Sequence, residues 1–287
     1  MKIGLIDVDG RNFPNLALMK IAAYHRQEGD TVEWCNHFEQ YDKVYKSKVF
    51  TFTPDDTTHI QATEIIKGGT GYNSFEELFC DSIQPDYSIY PMYKEAYGFL
   101  TRGCIRNCSW CIVPKKEGTV KPYRDIEEVM QGRKSAILMD NNILASDYGL
   151  EQIEKIIKLR YRVDFNQGLD SRLVTDEIAK MLSQVRWIEY IRFACDTMAA
   201  VAPLKEALNK LRKHGFNRRV FAYLLVKDVE DAYKRSQILK ELGIVPFAQP
   251  YRDFSNNKEP LPEQKRFARY VNRKAIFYST DWENYKR

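Results

Sequence analysis

Six times beyond residue 95 the chain sets short apolar runs beside amphipathic segments of helical spacing. The apolar runs fall at 97–101, 135–139, 162–165, 187–193, 219–226 and 244–248. The helical segments fall at 126–130, 148–159, 175–182, 202–214, 229–242 and 262–272. Leu150, Ile153, Ile156 and Ile157 share one face of the second helical segment, and Leu204, Leu208 and Leu211 share one of the fourth. Strand–helix units joined by short loops predict a parallel sheet wrapped by helices. Right-handed crossovers curl such a series in one direction, and six units are two short of a closed eightfold barrel. The expected class is α/β, a partial (β/α)6 barrel over 95–250, with a flat doubly wound sheet as the alternative. In either form the carboxyl ends of the strands make the active face.

Residues 1–94 read as a separate small α/β unit. Strands are expected at 2–6, 31–34, 43–52 and 60–66, with a helix over 14–28 stopped by Gly29. A glycine-rich turn follows at Gly68, Gly69 and Gly71 and reads as a turn rather than a phosphate cradle. Ser74 and Glu77 have the spacing of a capping box and predict a short helix over 74–80. The tyrosine-rich stretch 85–93 reads as a connector, and 251–287 as a C-terminal helix and tail.

Charge changes at the same boundary. Residues 1–94 carry 9 basic and 14 acidic side chains, a balance of −5; residues 95–287 carry 35 and 25, a balance of +10. A basic second region suits an anionic partner such as RNA or a nucleotide, although the charges are spread over several helices. With 44% apolar and 29% charged residues the chain is neither low-complexity nor disordered. No apolar run reaches the length of a membrane span. The first residues meet Asp7 and Asp9 too early for a signal-peptide core, so the expected compartment is the cytoplasm.

Of six cysteines, Cys35, Cys80 and Cys195 are solitary, while Cys104, Cys108 and Cys111 fall within eight residues. Their spacing is C-x3-C-x2-C, directly after the apolar run 97–101. A disulfide scaffold uses denser cysteines in a shorter chain. Structural zinc takes four ligands, and no second cysteine pair or nearby histidine completes a set here. Three soft thiolates on one loop suit an iron–sulfur cluster of four irons with one iron left for a non-protein ligand.

The segment resembles the signature of the radical S-adenosylmethionine (SAM) family, with Trp110 in the aromatic position before the third cysteine. The resemblance implies a 4Fe-4S cluster on Cys104, Cys108 and Cys111, whose open iron binds SAM. It implies reductive cleavage to a 5′-deoxyadenosyl radical, a reductant such as flavodoxin or ferredoxin, and hydrogen abstraction from a substrate it does not identify. The family's usual glycine-glycine-glutamate turn after the second strand is missing. Asp140 and Asn141, followed by Asn142, stand there instead as acceptors for the methionine ammonium, or as turn caps. Gln167 and Arg172 follow the third strand as expected contacts to ribose and carboxylate, unless Arg172 pairs with Asp170 or Asp176. Asp196 and Cys195 end the fourth strand as catalytic candidates, although a lone cysteine is usually a small buried hydrophobe. Arg252, after the sixth strand, is a candidate for substrate or adenosine.

Residues 1–94 look like a shortened, Rossmann-like relative of the cobalamin-binding domain that often precedes such barrels. The loop Asp7-Val8-Asp9-Gly10-Arg11 lacks the cobalt-ligating histidine, so cobalamin is not expected. The second alternative is an RNA methylthiotransferase, which uses three more cysteines in its N-terminal domain, where this chain has two. A non-catalytic, metal-stabilised module that binds RNA or protein is the alternative from a different class.

Overall fold

The computed structural model describes residues 1–253 and 258–285. The chain divides into two compact units, Met1–Lys94 and Glu95–Arg287. No described helix is long and apolar enough to cross a membrane.

In the first unit, β1 (Lys2–Asp7) leads into helix α1 (Leu16–Gln27), followed by β2 (Thr31–Trp34), β3 (Gln40–Ser47) and β4 (Gln61–Gly68). The sheet order is β2-β1-β3-β4, with every pairing parallel. Alternating apolar residues pack this sheet on α1, which buries Leu18, Met19, Ile21 and Ala22. The Asn15 side chain caps α1 by accepting from the Leu18 N–H at 3.2 Å. Strand β3 stops earlier than its β-branched and aromatic residues suggest, because the Asp9 carboxylate takes the N–H groups of Val49 (2.5 Å) and Phe50 (3.3 Å). The helix expected over 74–80 does not form. Asn73 adopts a left-handed conformation (φ 56°), and the Ser74 N–H goes back to the Gly69 carbonyl at 3.2 Å. The turn has thus taken the geometry that a cap needs.

The second unit begins with β5 (Ala96–Gly98), the short strands β6 (Thr101–Arg102) and β7 (Lys121–Pro122), and α2 (Val113–Glu117) between them. It continues with α3 (Ile126–Met130), β8 (Ser135–Leu138), α4 (Asp147–Lys158), β9 (Arg162–Phe165) and α5 (Asp176–Gln184). Then come β10 (Arg186–Trp187), β11 (Ile191–Ala194), α6 (Val201–Lys213), β12 (Val220–Val226), α7 (Val229–Glu241), β13 (Ile244–Pro250), α8 (Pro262–Asn272) and α9 (Lys274–Ser279). Two parallel sheets result, β5-β8-β9-β10 and β11-β12-β13. A parallel bridge between Leu169 and Phe193 joins them, so the strands pair in chain order.

Two expected strands are each split. The run 97–101 divides into β5 and β6 because the Asp140 carboxylate captures the Leu100 N–H (3.0 Å), the Thr101 N–H (2.5 Å) and the Thr101 hydroxyl (2.8 Å). The run 187–193 divides into β10, which pairs with β9, and β11, which pairs with β12. Side-chain alternation then sets the two faces. Ile191, Phe193 and Cys195 are fully buried in the main core with Phe165, Trp187 and Leu204. On the opposite parity, Arg192 forms a bidentate pair with Asp164, both bonds 2.7 Å, and its guanidinium lies 4.7 Å from the Phe221 ring. Phe221 stacks on Phe247 with centroids 5.8 Å apart and meets the edge of Tyr223 at 5.0 Å. Phe221 is 8% exposed and Phe247 38%, so among the described residues this aromatic cluster meets the surface at Phe247.

Candidate functional site

The cysteine loop runs from the end of β6 to α2, inside the antiparallel ribbon of β6 and β7. Gly103 begins it with φ +84°, and a Cβ there would lie 2.2 Å from the Thr119 carbonyl oxygen. Only glycine allows both that conformation and that approach. The Cys104 N–H then bonds to the Gly118 carbonyl at 3.1 Å, closing the loop. Glu117 braces both ends. Its buried carboxylate accepts from Arg102 Nε (3.0 Å) and Nη2 (2.8 Å), the Gly103 N–H (3.0 Å) and Asn141 Nδ2 (2.8 Å). A turn brings the Cys111 N–H to the Cys108 carbonyl at 3.0 Å.

Two of the three thiols, Cys108 and Cys111, are shifted in the same direction. Burial pushes the Cys108 thiol up, opposed by the Arg172 charge and reinforced by Cys104, Asp196 and Asp170. Surrounding protein also pushes up Cys111, whose backbone bond at Val113 works the other way, with Cys108, Cys104 and Asp196 adding to the rise. Cys104 Sγ accepts from the Arg106 N–H at 3.3 Å and from Asn142 Nδ2 at 3.5 Å. Among the described residues, no three His, Cys, Asp or Glu side chains come close enough together to hold a metal ion. What the three cysteines share with an iron–sulfur site is their donor type and their common loop. They do not form a preassembled cage.

The ends of β8 and β9 supply the surroundings. The Asp170 carboxylate accepts from Arg172 Nε (2.6 Å) and Nη2 (3.0 Å) and from Arg106 Nε (2.8 Å). Burial opposes its charge, but the two arginines outweigh burial and hold its carboxyl below the ordinary range. Arg172 thus makes the Asp170 pair that its sequence position allowed. Asn142 is 4% exposed, and its Oδ1 has no hydrogen-bond partner among the described residues. A buried orphan acceptor is an anomaly that a ligand donor would resolve.

The remaining expected residues are placed differently from one another. Asn141 bonds to Glu117, while Trp110 is half-buried on the cysteine loop. Asp140 is committed to the backbone: its oxygens serve the Leu100–Thr101 kink, and burial raises its carboxyl to about 6. Gln167 is exposed, donating to Asn166 Oδ1 at 3.2 Å. Asp196 accepts from the Leu225 N–H at 3.2 Å, and burial raises its carboxyl. Cys195 points into the apolar core with a thiol pushed up by burial to about 11, so the expectation that it faces the cavity is corrected: it shares strand parity with Ile191 and Phe193. Arg252 pairs with Glu259, which also accepts from Lys265 at 2.9 Å. Sequence reasoning did not single out Glu117 or Arg106. Nothing in a local window marks Glu117, and the partner of Arg106 lies 64 positions away.

Compared with known proteins, the chain matches no family model and no curated protein.

Proposed function

We propose that the chain is a radical SAM enzyme in which Cys104, Cys108 and Cys111 hold one 4Fe-4S cluster. The second unit is then a partial (β/α)6 barrel, its parallel strands taken in chain order, the split fourth run counting once, and one face lined by Arg192, Phe221, Tyr223 and Phe247. The supporting observation is the position of the three-cysteine loop. It follows the first of those strands, beside an orphaned Asn142 Oδ1 and the Arg106–Asp170–Arg172 network from the strand ends.

Such a cluster supplies the electron for reductive cleavage of SAM to methionine and a 5′-deoxyadenosyl radical. The chain's own residues bind and orient. Asn142 Oδ1 accepts from the methionine ammonium. Arg172 offers Nη1 to the carboxylate while Asp170 fixes its Nε and Nη2 edge. Asp196, held by the Leu225 N–H, accepts a hydrogen bond from a ribose hydroxyl. The aromatic side chains of that face keep water from a reactive carbon radical. The reading requires a reductant of flavodoxin or ferredoxin type and a compartment that keeps thiols reduced, the cytoplasm.

Anaerobic reconstitution should give about four irons and four sulfides per chain. Dithionite with SAM should release 5′-deoxyadenosine. Cys108→Ala should lose both cluster and cleavage. A zinc-loaded protein that leaves SAM intact would overturn the reading in favour of a metal-stabilised binding module.

A further inference from the structure

The first unit carries a lysine whose surroundings have no use in the chemistry above. Lys48 follows β3 and is 7% exposed. Among the described residues no carboxylate pairs with its ammonium, which lies 5.6 Å from the centre of the Tyr72 ring. Nearby Asp55 is taken by Lys46 (2.8 Å), Lys67 (3.4 Å) and the Tyr72 hydroxyl. Its stem is buried, while its nitrogen is not among the buried side-chain atoms that lack a partner in the described residues, so the ammonium stands at the surface end of a buried stem.

The glycine-rich turn exists to accommodate this side chain. A Cβ at Gly71 would sit 2.4 Å from Lys48 Cγ, and one at Gly69 2.4 Å from the Lys48 carbonyl oxygen. The Gly71 N–H bonds to that same carbonyl at 2.9 Å. Gly69 and Gly71 therefore cradle the lysine stem.

The place is also the one where an open parallel sheet binds ligands. In the order β2-β1-β3-β4 the chain switches direction between β1 and β3, and ligands settle outside the carboxyl ends at such a switch. The N-terminus of α1 lies at this edge, tied to β3 by Asn15 Nδ2 donating to Ser47 Oγ at 2.9 Å, with no acidic residue in its first turn. Arg11, in the β1–α1 loop, lies 4.5 Å from the Trp34 ring and pairs with no carboxylate among the described residues. The edge's own carboxylates are occupied: Asp9 accepts from Val49, Phe50 and Thr53, and Asp7 from the Tyr90 hydroxyl at 2.7 Å. Two and four residues after Lys48 in the chain, Phe50 and Phe52 stack at 5.1 Å and are 46% and 52% exposed.

We propose that this edge binds a nucleoside phosphate, with the phosphate on Lys48 and the base on the Phe50–Phe52 pair. The site is independent of the cysteine loop. It is tested on the full chain at low salt by equilibrium dialysis with AMP, inorganic phosphate and adenosine. AMP should bind more tightly than phosphate or adenosine. Lys48→Met should weaken AMP by about tenfold to a hundredfold, and Lys48→Arg should retain most of the affinity. Gly71→Ala, which displaces the stem but keeps the charge, should also weaken AMP. Phe52→Ala should lower AMP affinity and leave phosphate unchanged. Cys108→Ala should bind AMP as the parent does, which separates this site from the cluster. AMP binding equal in the parent and in Lys48→Met, with both chains folded by circular dichroism, would overturn the proposal. So would no AMP binding at millimolar concentration.

Discussion

Asp140 and Glu117 act on the cysteine loop from behind. Each is a buried carboxylate that orders backbone, Asp140 at the β5–β6 kink and Glu117 at the loop's two ends. Burial raises the Asp140 carboxyl from 3.8 to about 6. A carboxyl raised in the folded state holds its proton more tightly there than in the unfolded chain. Its contribution to stability is therefore fullest below the ordinary value and is lost as pH rises through the folded one. Between about pH 4 and about pH 7, Asp140→Asn should remove a decline of about 2–3 kcal/mol in unfolding free energy, measured by urea denaturation. At this scale the three cysteines were legible because their spacing is local. Cys195, a catalytic candidate from its place at a strand end, lies in the core instead, because it shares parity with Ile191 and Phe193. The partners of Glu117 and Arg106 were not, because they meet only once distant strands are assembled.

Among the elements, the alternation of apolar runs and amphipathic segments located nearly every strand and helix of the second unit. It did not show that the first and fourth strands break: the first break follows the Asp140 side chain at the end of β8, and the fourth a change of pairing partner from β9 to β12. The helix expected over 74–80 failed for a related reason: a local capping signal lost to a turn ending at a left-handed Asn73. The Asp164–Arg192 pair links β9 to β11 just beyond the second break. Arg192→Leu alone should destabilise by about 2–4 kcal/mol, since it leaves Asp164 buried and uncompensated. Adding Asp164→Leu should restore part of that loss, so a double-mutant cycle in urea should return a clear coupling energy.

For the whole molecule, the division at Lys94 coincides with the change in charge balance from −5 to +10. A polyanion should therefore report on the second unit alone. Heparin should protect amides within 95–287 and leave the first 94 residues unchanged, and the effect should fade as salt is added. Protection spread evenly over both units would show that charge distribution does not govern the contact. Composition and patterning made the two-unit plan readable, because charge and hydrophobic period are properties of long windows. The aromatic cluster around Arg192 was not readable, since it depends on which parities of separate strands come to share a face.

The Leu169–Phe193 bridge, one rung between two otherwise continuous ladders, has a mechanical consequence. Cooperative opening of a sheet starts where the fewest amides resist it. Deuterium should enter at Leu169 and Ala194, whose amides form that rung at 2.7 and 3.3 Å, before it enters the middle of β8 or β12. The second unit would then breathe as two halves about a seam beside Arg192.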